Sequence, residues 1–172
     1  MGSSKSIYCR MYLFDLPGAK YEVRDKGFSI LKMEHDAHHD CDMCGTPGGR
    51  TFSTLHVTID LGDESAAGEF FSRINDYTAS AFSVVYNGKV EKTVSKMPPK
   101  KPGDPPTEVP GPNVLTSFMR LFVFYAYIVK AEECYSKDDD GSTTTILDLT
   151  MHLYDINYVD SDKNTVTLNV LH

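Results

Sequence analysis

The sequence predicts a mainly β protein: a β-barrel or sandwich of about eight strands with one flanking α-helix. Three observations lead to this class. Apolar and polar residues alternate with a period of two through most of the chain, one segment has helical periodicity, and turn-forming residues separate the alternating segments. The 172 residues, 41% of them hydrophobic, fit a single domain over residues 1–172 with one core.

The first predicted strands lie in the N-terminal third of the chain. Residues 7–14 are rich in aromatic and β-branched side chains, and residues 21–24 and 28–33 alternate between apolar and polar. Residues 51–61 continue the alternation, with Leu55 as one of its apolar positions. Such alternation indicates strands of a sheet with one buried face.

Residues 63–77 are predicted to form an amphipathic helix. Asp63 or Ser65 is a suitable N-cap, because its side chain can accept a hydrogen bond from a free backbone N–H of the first turn. The apolar stripe of the helix consists of Ala66, Ala67, Phe70, Phe71, Ile74 and Tyr77.

The next predicted strand, residues 81–86, ends at the turn-forming pair Asn87-Gly88.

Residues 97–113 hold seven of the nine prolines. Proline has no backbone N–H and a fixed φ, so this density argues against a helix or an inner strand. We predict an exposed, extended proline-rich loop here. The alternative is a recognition segment for a groove lined by aromatic side chains.

The C-terminal third is predicted to consist of strands. Residues 118–133 are apolar on both faces through their middle, which indicates a strand covered on both sides. A polar loop at 137–142 leads to a second long strand at 143–158, and a turn at 160–164 leads to a last strand at 165–171.

Charge and hydropathy exclude several classes of partner. The chain has 17 Lys and Arg against 24 Asp and Glu, a net charge of −7, which disfavours binding to nucleic acid. No apolar run approaches the roughly 20 residues that cross a bilayer, so we expect no membrane insertion. Arg10 interrupts the apolar stretch near the N-terminus and no small-residue cleavage site follows, so we expect no signal peptide. The four cysteines have irregular spacing, so we expect reduced thiols in the cytoplasm.

One cluster has the composition of a metal site: His35, His38, His39, Cys41 and Cys44. The Cys-x-x-Cys spacing allows two thiolates to bind one tetrahedral zinc ion, and His35 or His39 could complete the set. The competing interpretation is a polar loop between strands, because all the candidate ligands fall in one short segment. Zinc is the only cofactor that this sequence suggests.

No pattern points to catalysis. The chain contains no Gly-x-Ser-x-Gly elbow, no phosphate-binding loop and no Gly-x-Gly-x-x-Gly motif. The pair Glu132-Glu133 would point to opposite faces of a strand and is better explained as surface. We therefore expect that the protein is not an enzyme.

The order of elements resembles a known family. A Gly48-Gly49-Arg50 turn leads into a Val-Thr-Ile strand, one helix carries Phe70-Phe71, and a strand with the phrase FYAYIVK at residues 124–130 precedes a strand with ILDLTM at 146–151. This pattern resembles the Hcp (TssD) tube protein of type VI secretion systems, in particular its divergent Bacteroidetes-type members, within the tail-tube superfamily.

The resemblance implies a β-barrel protomer that assembles into a homo-hexamer. Hexameric rings would stack into the inner tube of a contractile apparatus, with a spike protein, a sheath and secreted effectors as partners. Such a protein would leave the bacterial cytoplasm through the apparatus itself. Long strands that are apolar on both faces would provide surface for contacts between subunits.

Two features depart from the family pattern, the proline-rich segment at 97–113 and the His/Cys-rich segment from His35 to Cys44. The runner-up function is a small metal-binding β-barrel module that uses the latter cluster. A ligand-binding barrel of lipocalin type is a third option. The competing interpretation of the long strands is a monomeric barrel whose second face is covered by its own helix and loops.

Overall fold

The computed structural model describes residues 4–14, 16, 21–41, 43, 47–62, 67–75 and 79–168, with the backbone alone at 40, 41 and 47–51. These residues form nine β-strands and one α-helix, so the predicted mainly β class with a single helix is confirmed for them. The helix is α1 (Ala67–Ile74). The strands are β1 (Ser4–Tyr12), β2 (Glu22–Val23), β3 (Phe28–Cys41), β4 (Pro47–Asp60), β5 (Ser80–Met97), β6 (Thr107–Ser117), β7 (Arg120–Lys137), β8 (Thr143–Asp160) and β9 (Thr165–Leu168).

Six strands close into a barrel. Their order is β1-β3-β4-β8-β7-β5, and β5 pairs with β1, so the sheet returns to its first strand. All of these pairs are antiparallel. The contact between β1 and β3 is short, with Arg10 opposite Ser29 and Met11 opposite Phe28. Where a strand of the closed sheet has a partner on each side, its backbone N–H and C=O groups form hydrogen bonds to the two neighbouring strands.

Three further strands extend the barrel: β6 pairs with β5, β2 pairs with β6, and β9 pairs with β8. β5 exchanges one partner for another near Asn87, because residues 80–86 pair with β7 and residues 89–97 pair with β6. Asn87 has a φ of 46°, in the left-handed region that asparagine tolerates. The predicted turn at Asn87-Gly88 is therefore wrong, since pairing on both sides carries the strand through this irregularity.

Strand β7 is buried on both faces over residues 121–124, near its start. Phe122 and Phe124 belong to the cluster inside the barrel, whereas Leu121 and Val123 belong to a second cluster on its outer side. This burial confirms the prediction of a strand covered on both sides. The cover comes from the same chain, because the second cluster also contains Tyr12, Leu16, Val23, Leu115 and Phe118.

The helix is anchored by one side chain. Phe70 is fully buried, and its ring centroid lies 5.4 Å from that of Phe28 in an edge-to-face contact. Phe71 and Ile74, which were predicted to share the apolar stripe, are each 39% exposed. The predicted N-caps Asp63 and Ser65, and the stripe positions Ala66 and Tyr77, lie outside the described residues. Across the described part of the chain, no helix has the length and apolar character needed to cross a membrane.

Strand β3 is longer than its apolar alternation predicts. It pairs with β4 as far as Cys41, which lies opposite Pro47, so the two strands form a protruding hairpin. The interpretation of residues 35–44 as a polar loop is therefore wrong up to Cys41. Polar side chains are compatible with a strand here because most of them, including His38 and His39, are exposed.

The proline-rich segment is also more ordered than predicted. Residues 98–106 connect the strands, but residues 107–113 belong to β6, which includes Pro110 and Pro112. The predicted loop over 97–113 is wrong for this second part. Prolines are tolerated because both lie before Asn113, where the pairing with β2 begins, so this part of β6 has β5 as its partner on one side. An edge strand has N–H groups that need no partner strand. The Thr93 hydroxyl donates a 2.6 Å hydrogen bond to the carbonyl oxygen of Pro112.

Candidate assembly surface

His35, the first candidate metal ligand, lies against the barrel core. Its Nε2 is 2.6 Å from the hydroxyl oxygen of Ser53, and its Nδ1 is 2.8 Å from the hydroxyl oxygen of Tyr158. The imidazole also packs against Phe122, with ring centroids 5.1 Å apart. Burial lowers the pKa of His35, an effect that the charge of Asp36 opposes. Both ring nitrogens thus have hydroxyl partners, which gives this histidine a structural role.

The extended backbone of β3 keeps His35 apart from the other candidate ligands. A strand rises about 3.3 Å per residue, so His39 lies about 13 Å from His35 along β3, and Cys41 about 20 Å. One zinc ion needs ligand atoms about 2.0–2.3 Å from its centre. The described side chains include no group of three His, Cys, Asp or Glu residues able to hold a metal ion. Cys44 lies outside the described residues, so a zinc site built on Cys41, Cys44 and His39 stays a prediction.

His38 lies on the opposite face of β3 from His35. Its Nδ1 is 3.0 Å from a carboxylate oxygen of Asp36, and its ring stacks on Phe52 with centroids 5.6 Å apart. Both contacts lie on the exposed β3–β4 hairpin, so the His38 side chain has interaction partners on neighbouring positions of the same hairpin.

Strands β3, β4, β8 and β7 are consecutive in the barrel and form what we call the wall. Its two outer strands each have a long stretch with one partner only. Residues 30–41 of β3 pair with β4 and not with β1, and residues 127–137 of β7 pair with β8 and not with β5. Among the described residues, the wall therefore has two edges without a strand partner, whose backbone N–H and C=O groups are available for pairing.

Each open edge contains a bulge with an exposed apolar side chain. Leu31 is the extra residue of β3 opposite β4, and Val129 is the extra residue of β7 opposite β8. Their exposed fractions are 54% and 47%. Bulges are common at sheet edges, where they redirect a side chain. An exposed branched side chain at each edge is suited to contact a neighbouring molecule.

The outer surface of the wall is polar, and we call it the polar face. Lys32 forms a 3.1 Å salt bridge with Glu34 on β3, and Lys130 forms a 2.9 Å salt bridge with Glu132 on β7. Between them, hydroxyl groups of β4 and β8 bind side chains of the neighbouring strand. A shallow depression of about 280 Å³ lies here. The polar face comprises Lys32, Glu34, His56, Thr58, Lys130, Glu132, Asp148 and Thr150.

The sequence-based inference about contact surfaces needs correction. The part of β7 that is apolar on both faces was expected to meet neighbouring subunits, but Leu121 and Val123 are covered by residues of the same chain. The open edges lie instead in the polar ends of β3 and β7. Composition contains little signal for them, because an edge depends on which strand pairs with which. The mixed polar stretch after Val129 is a weak hint, since inner strands are seldom polar on both faces.

No family model and no curated protein matches the chain. Solved structures do match its fold. Hcp1 from Flavobacterium johnsoniae is 13% identical and aligns over 94% of this chain and 100% of its own, with a TM-score of 0.52. A mutant of Hcp1 from the E. coli EAEC 042 pathovar is 13% identical and aligns over 95% of this chain and 98% of its own, with a TM-score of 0.55. The chain therefore has the fold of the Hcp proteins, as its order of elements predicted.

Proposed function

We propose that the protein is a structural subunit of the inner tube of a type VI, contractile secretion apparatus. The observation that carries this proposal is the Hcp fold, which extends over 94% and 95% of the chain in the two comparisons. The resemblance in the order of sequence elements supports the same conclusion. Fold alone does not determine function, so the surface must also suit assembly.

The open edges of the wall support a ring. β3 and β7 run antiparallel to each other, because three antiparallel pairings separate them. The β7 edge of one subunit can therefore pair with the β3 edge of the next and continue the antiparallel pattern. Such a head-to-tail contact uses two different surfaces and closes when the rotation between neighbours divides a full circle. We propose that it closes into a hexameric ring.

The polar face is suited to line the hole of that ring. The apolar side of the wall faces the barrel core of its own subunit, where Val57 and Leu149 are buried. When walls join edge to edge, the rest of each subunit must lie on that apolar side. If the subunits surround an open channel, their bodies lie outside and the polar face lies inside. A channel with paired charges and hydroxyl groups suits the passage of hydrated protein cargo.

The proposed partners and the proposed route of export follow from assembly into a tube. Rings would stack, contact a spike protein at one end and a sheath outside, and carry secreted effectors. The subunit would be made in the bacterial cytoplasm and leave through the apparatus. This role is structural and needs no catalytic side chain and no cofactor.

Native mass spectrometry and negative-stain imaging of the full chain test the proposal. We expect a dominant hexameric mass and ring-shaped particles with a central hole, and stacked rings at high concentration. A protein that stays monomeric at high concentration, by analytical ultracentrifugation, would contradict it. A monomer that carries stoichiometric zinc would instead favour the metal-binding alternative.

A further inference from the structure

A cleft outside the wall concentrates positive charge. It has a volume of about 290 Å³ and lies between β1, β5, β6 and the segment that follows β2. Four cations line it, Lys5, Arg10, Arg24 and Lys26, against the single carboxylate of Asp25, so its formal charge is 4 − 1 = +3. None of the four ion pairs among the described residues includes these cations. The chain has a net charge of −7, so the positive charge of this basic cleft is opposite in sign to the charge of the whole chain.

Contacts around the basic cleft keep its cations in place. Arg10 donates hydrogen bonds from Nη1 to the carbonyl oxygens of Lys26 at 2.8 Å and Gly27 at 3.2 Å, which holds this segment beside β1. The guanidinium group of Arg24 lies over the ring of Phe14, 5.4 Å from its centroid. The ammonium groups of the lysines have no carboxylate partner in the described residues. The site therefore has positive charge available for an external anion.

Three consecutive aspartates lie at the end of the β7–β8 hairpin. We call Asp138, Asp139 and Asp140 the acidic tip; the two strands pair as far as Lys137 opposite Thr143. Asp140 Oδ1 accepts hydrogen bonds from the backbone N–H and the hydroxyl of Ser142, which lower the pKa of its carboxyl group. The same hydroxyl oxygen lies 3.1 Å from Asp138 Oδ2, so its single proton is shared between the two carboxylates. Asp139 is exposed, and no described residue binds its carboxylate.

We propose that the basic cleft of one copy of the chain receives the acidic tip of a second copy. This inference rests on the proposed self-assembly and identifies one contact that the assembly uses. Two copies of a chain with a net charge of −7 repel each other overall, so a stable contact needs opposite charges that face each other locally. Among the described residues, the cleft and the tip are two surfaces that meet this need, with formal charges of +3 and −3.

The shapes of the two surfaces are also compatible. The tip is a narrow two-stranded turn that extends beyond the barrel core, since residues 132–142 are exposed throughout. The cleft is open to solvent and has Ile7, Tyr12 and Val90 among its lining residues. The exposed carboxylates of a protruding turn can therefore reach the cations of the cleft.

Single charge reversals test the contact in the full chain. Asp139→Lys reverses one of the three charges of the tip and leaves the described hydrogen bonds of the turn, which use Asp138, Asp140 and Ser142, in place. Lys26→Glu reverses one charge of the cleft and lowers its formal charge from +3 to +1. The backbone carbonyl of Lys26, and not its side chain, binds Arg10. The double variant Asp139→Lys with Lys26→Glu restores opposite charges in exchanged positions. Asp162→Lys, in the exposed turn between β8 and β9, is the matched control for Asp139→Lys, because the two substitutions make the same change of net charge.

Self-association is measured by sedimentation velocity at about 0.1 M and about 1 M salt, where the screening length falls from about 10 to about 3 Å. At the lower salt we expect each single variant to need roughly tenfold more protein for half assembly, and the double variant to return close to the original value. The control should remain unchanged. High salt should remove the difference between variants.

Three results would overturn the proposal. One is unchanged assembly of both single variants. The second is a double variant that assembles no better than the weaker single variant. The third is a wild-type chain that does not self-associate, which also contradicts the proposed function, whereas rings that form equally well in every variant contradict only this contact. Binding of inorganic phosphate at the cleft, with no effect of the variants on assembly, would assign the cleft to a small anion instead.

Discussion

His35 in β3 and Tyr158 in β8 are joined by a hydrogen bond of 2.8 Å between the imidazole Nδ1 and the phenol oxygen, across 123 positions of the sequence. The ring of Tyr158 also stacks on Phe122 of β7, with centroids 4.9 Å apart. Three strands of the wall therefore meet in one contact group. This arrangement explains why a histidine from a segment with the composition of a metal site instead supports the barrel.

The protonation of the His35 imidazole should make the free energy of unfolding depend on pH. Burial lowers its pKa in the folded protein, whereas the unfolded chain has a histidine pKa near about 6.5. Below that pH the unfolded chain takes up a proton that the folded chain binds less well, so the free energy of unfolding falls as the pH falls. Between about pH 7.5 and 5.5, we expect urea denaturation to show a smaller loss of stability for His35→Gln than for the original protein.

The matched control for this experiment is His56→Gln. His56 is exposed on the polar face, where its Nδ1 lies 3.1 Å from the Thr150 hydroxyl oxygen. Equal losses of stability in the original protein and in His35→Gln would contradict the assigned role of His35.

Phe70 should contribute most of the energy that holds the helix on the barrel. It is fully buried against Phe28, so Phe70→Ala removes a large ring from a packed site, and we expect the free energy of unfolding to drop by about 3–5 kcal/mol. The neighbouring Phe71 is 39% exposed, and Phe71→Ala should cost about 1 kcal/mol or less. Urea denaturation of both variants measures the contrast, and similar costs would show that the helix docks differently.

Two glycines with the same backbone conformation should differ in their tolerance of alanine. Gly27 has a φ of 63° and Gly62 a φ of 61°. Alanine in this left-handed region costs about 1–2 kcal/mol, and this is the whole expected cost at Gly62, where a Cβ would meet nothing. At Gly27 a Cβ would lie 2.7 Å from the ring of Tyr12 and 2.9 Å from the backbone oxygen of Met11. We expect a further loss of about 1–3 kcal/mol there, measured by thermal and urea unfolding.

Assembly should depend on the bulged residues at the wall edges. Val129 is 47% exposed on the β7 edge, so Val129→Asp should leave the stability of the isolated subunit within about 0.5 kcal/mol. In a ring closed by edge pairing, the same change would bury an unpaired carboxylate between subunits and strongly reduce the hexamer. Leu31→Asp on the β3 edge should act in the same way.

Val94→Asp is the control, because Val94 is 56% exposed on β5, away from the wall. Native mass spectrometry and circular dichroism of the three variants separate loss of assembly from loss of folding. If Val94→Asp disrupted the ring as strongly as Val129→Asp while Leu31→Asp did not, the ring would be closed through another surface.

Individual elements show where sequence reasoning worked. The alternation in residues 51–61 predicted a strand with one buried face, and Leu55, Val57, Ile59 and Leu61 are buried in the barrel. The apolar residues in the middle of the predicted strand 118–133 indicated burial on both faces, which the two core clusters confirm for residues 121–124. These predictions succeeded because the periodicity of a strand is a local property, set by side chains that point to opposite faces.

The failures share one cause. Asn87, the prolines of β6 and the polar second half of β3 all have local preferences for turns or loops, yet they lie in strands. Each is held by a partner strand, such as Val94 opposite Pro110 or His38 opposite Phe52. Pairing with a neighbouring strand satisfies backbone hydrogen bonds and overrides a weak local preference.

The amino-acid sequence alone determined the mainly β class, the position of the single helix, the acidic surface and the order of elements typical of the Hcp proteins. The tertiary structure decided which strands have open edges, which histidine lies against the core, and where four cations meet in one cleft. The physical reason is that periodicity and composition depend on residues that are close together in the sequence. Edges and clefts depend instead on contacts between residues far apart in sequence, whose pairing is settled only when the barrel closes.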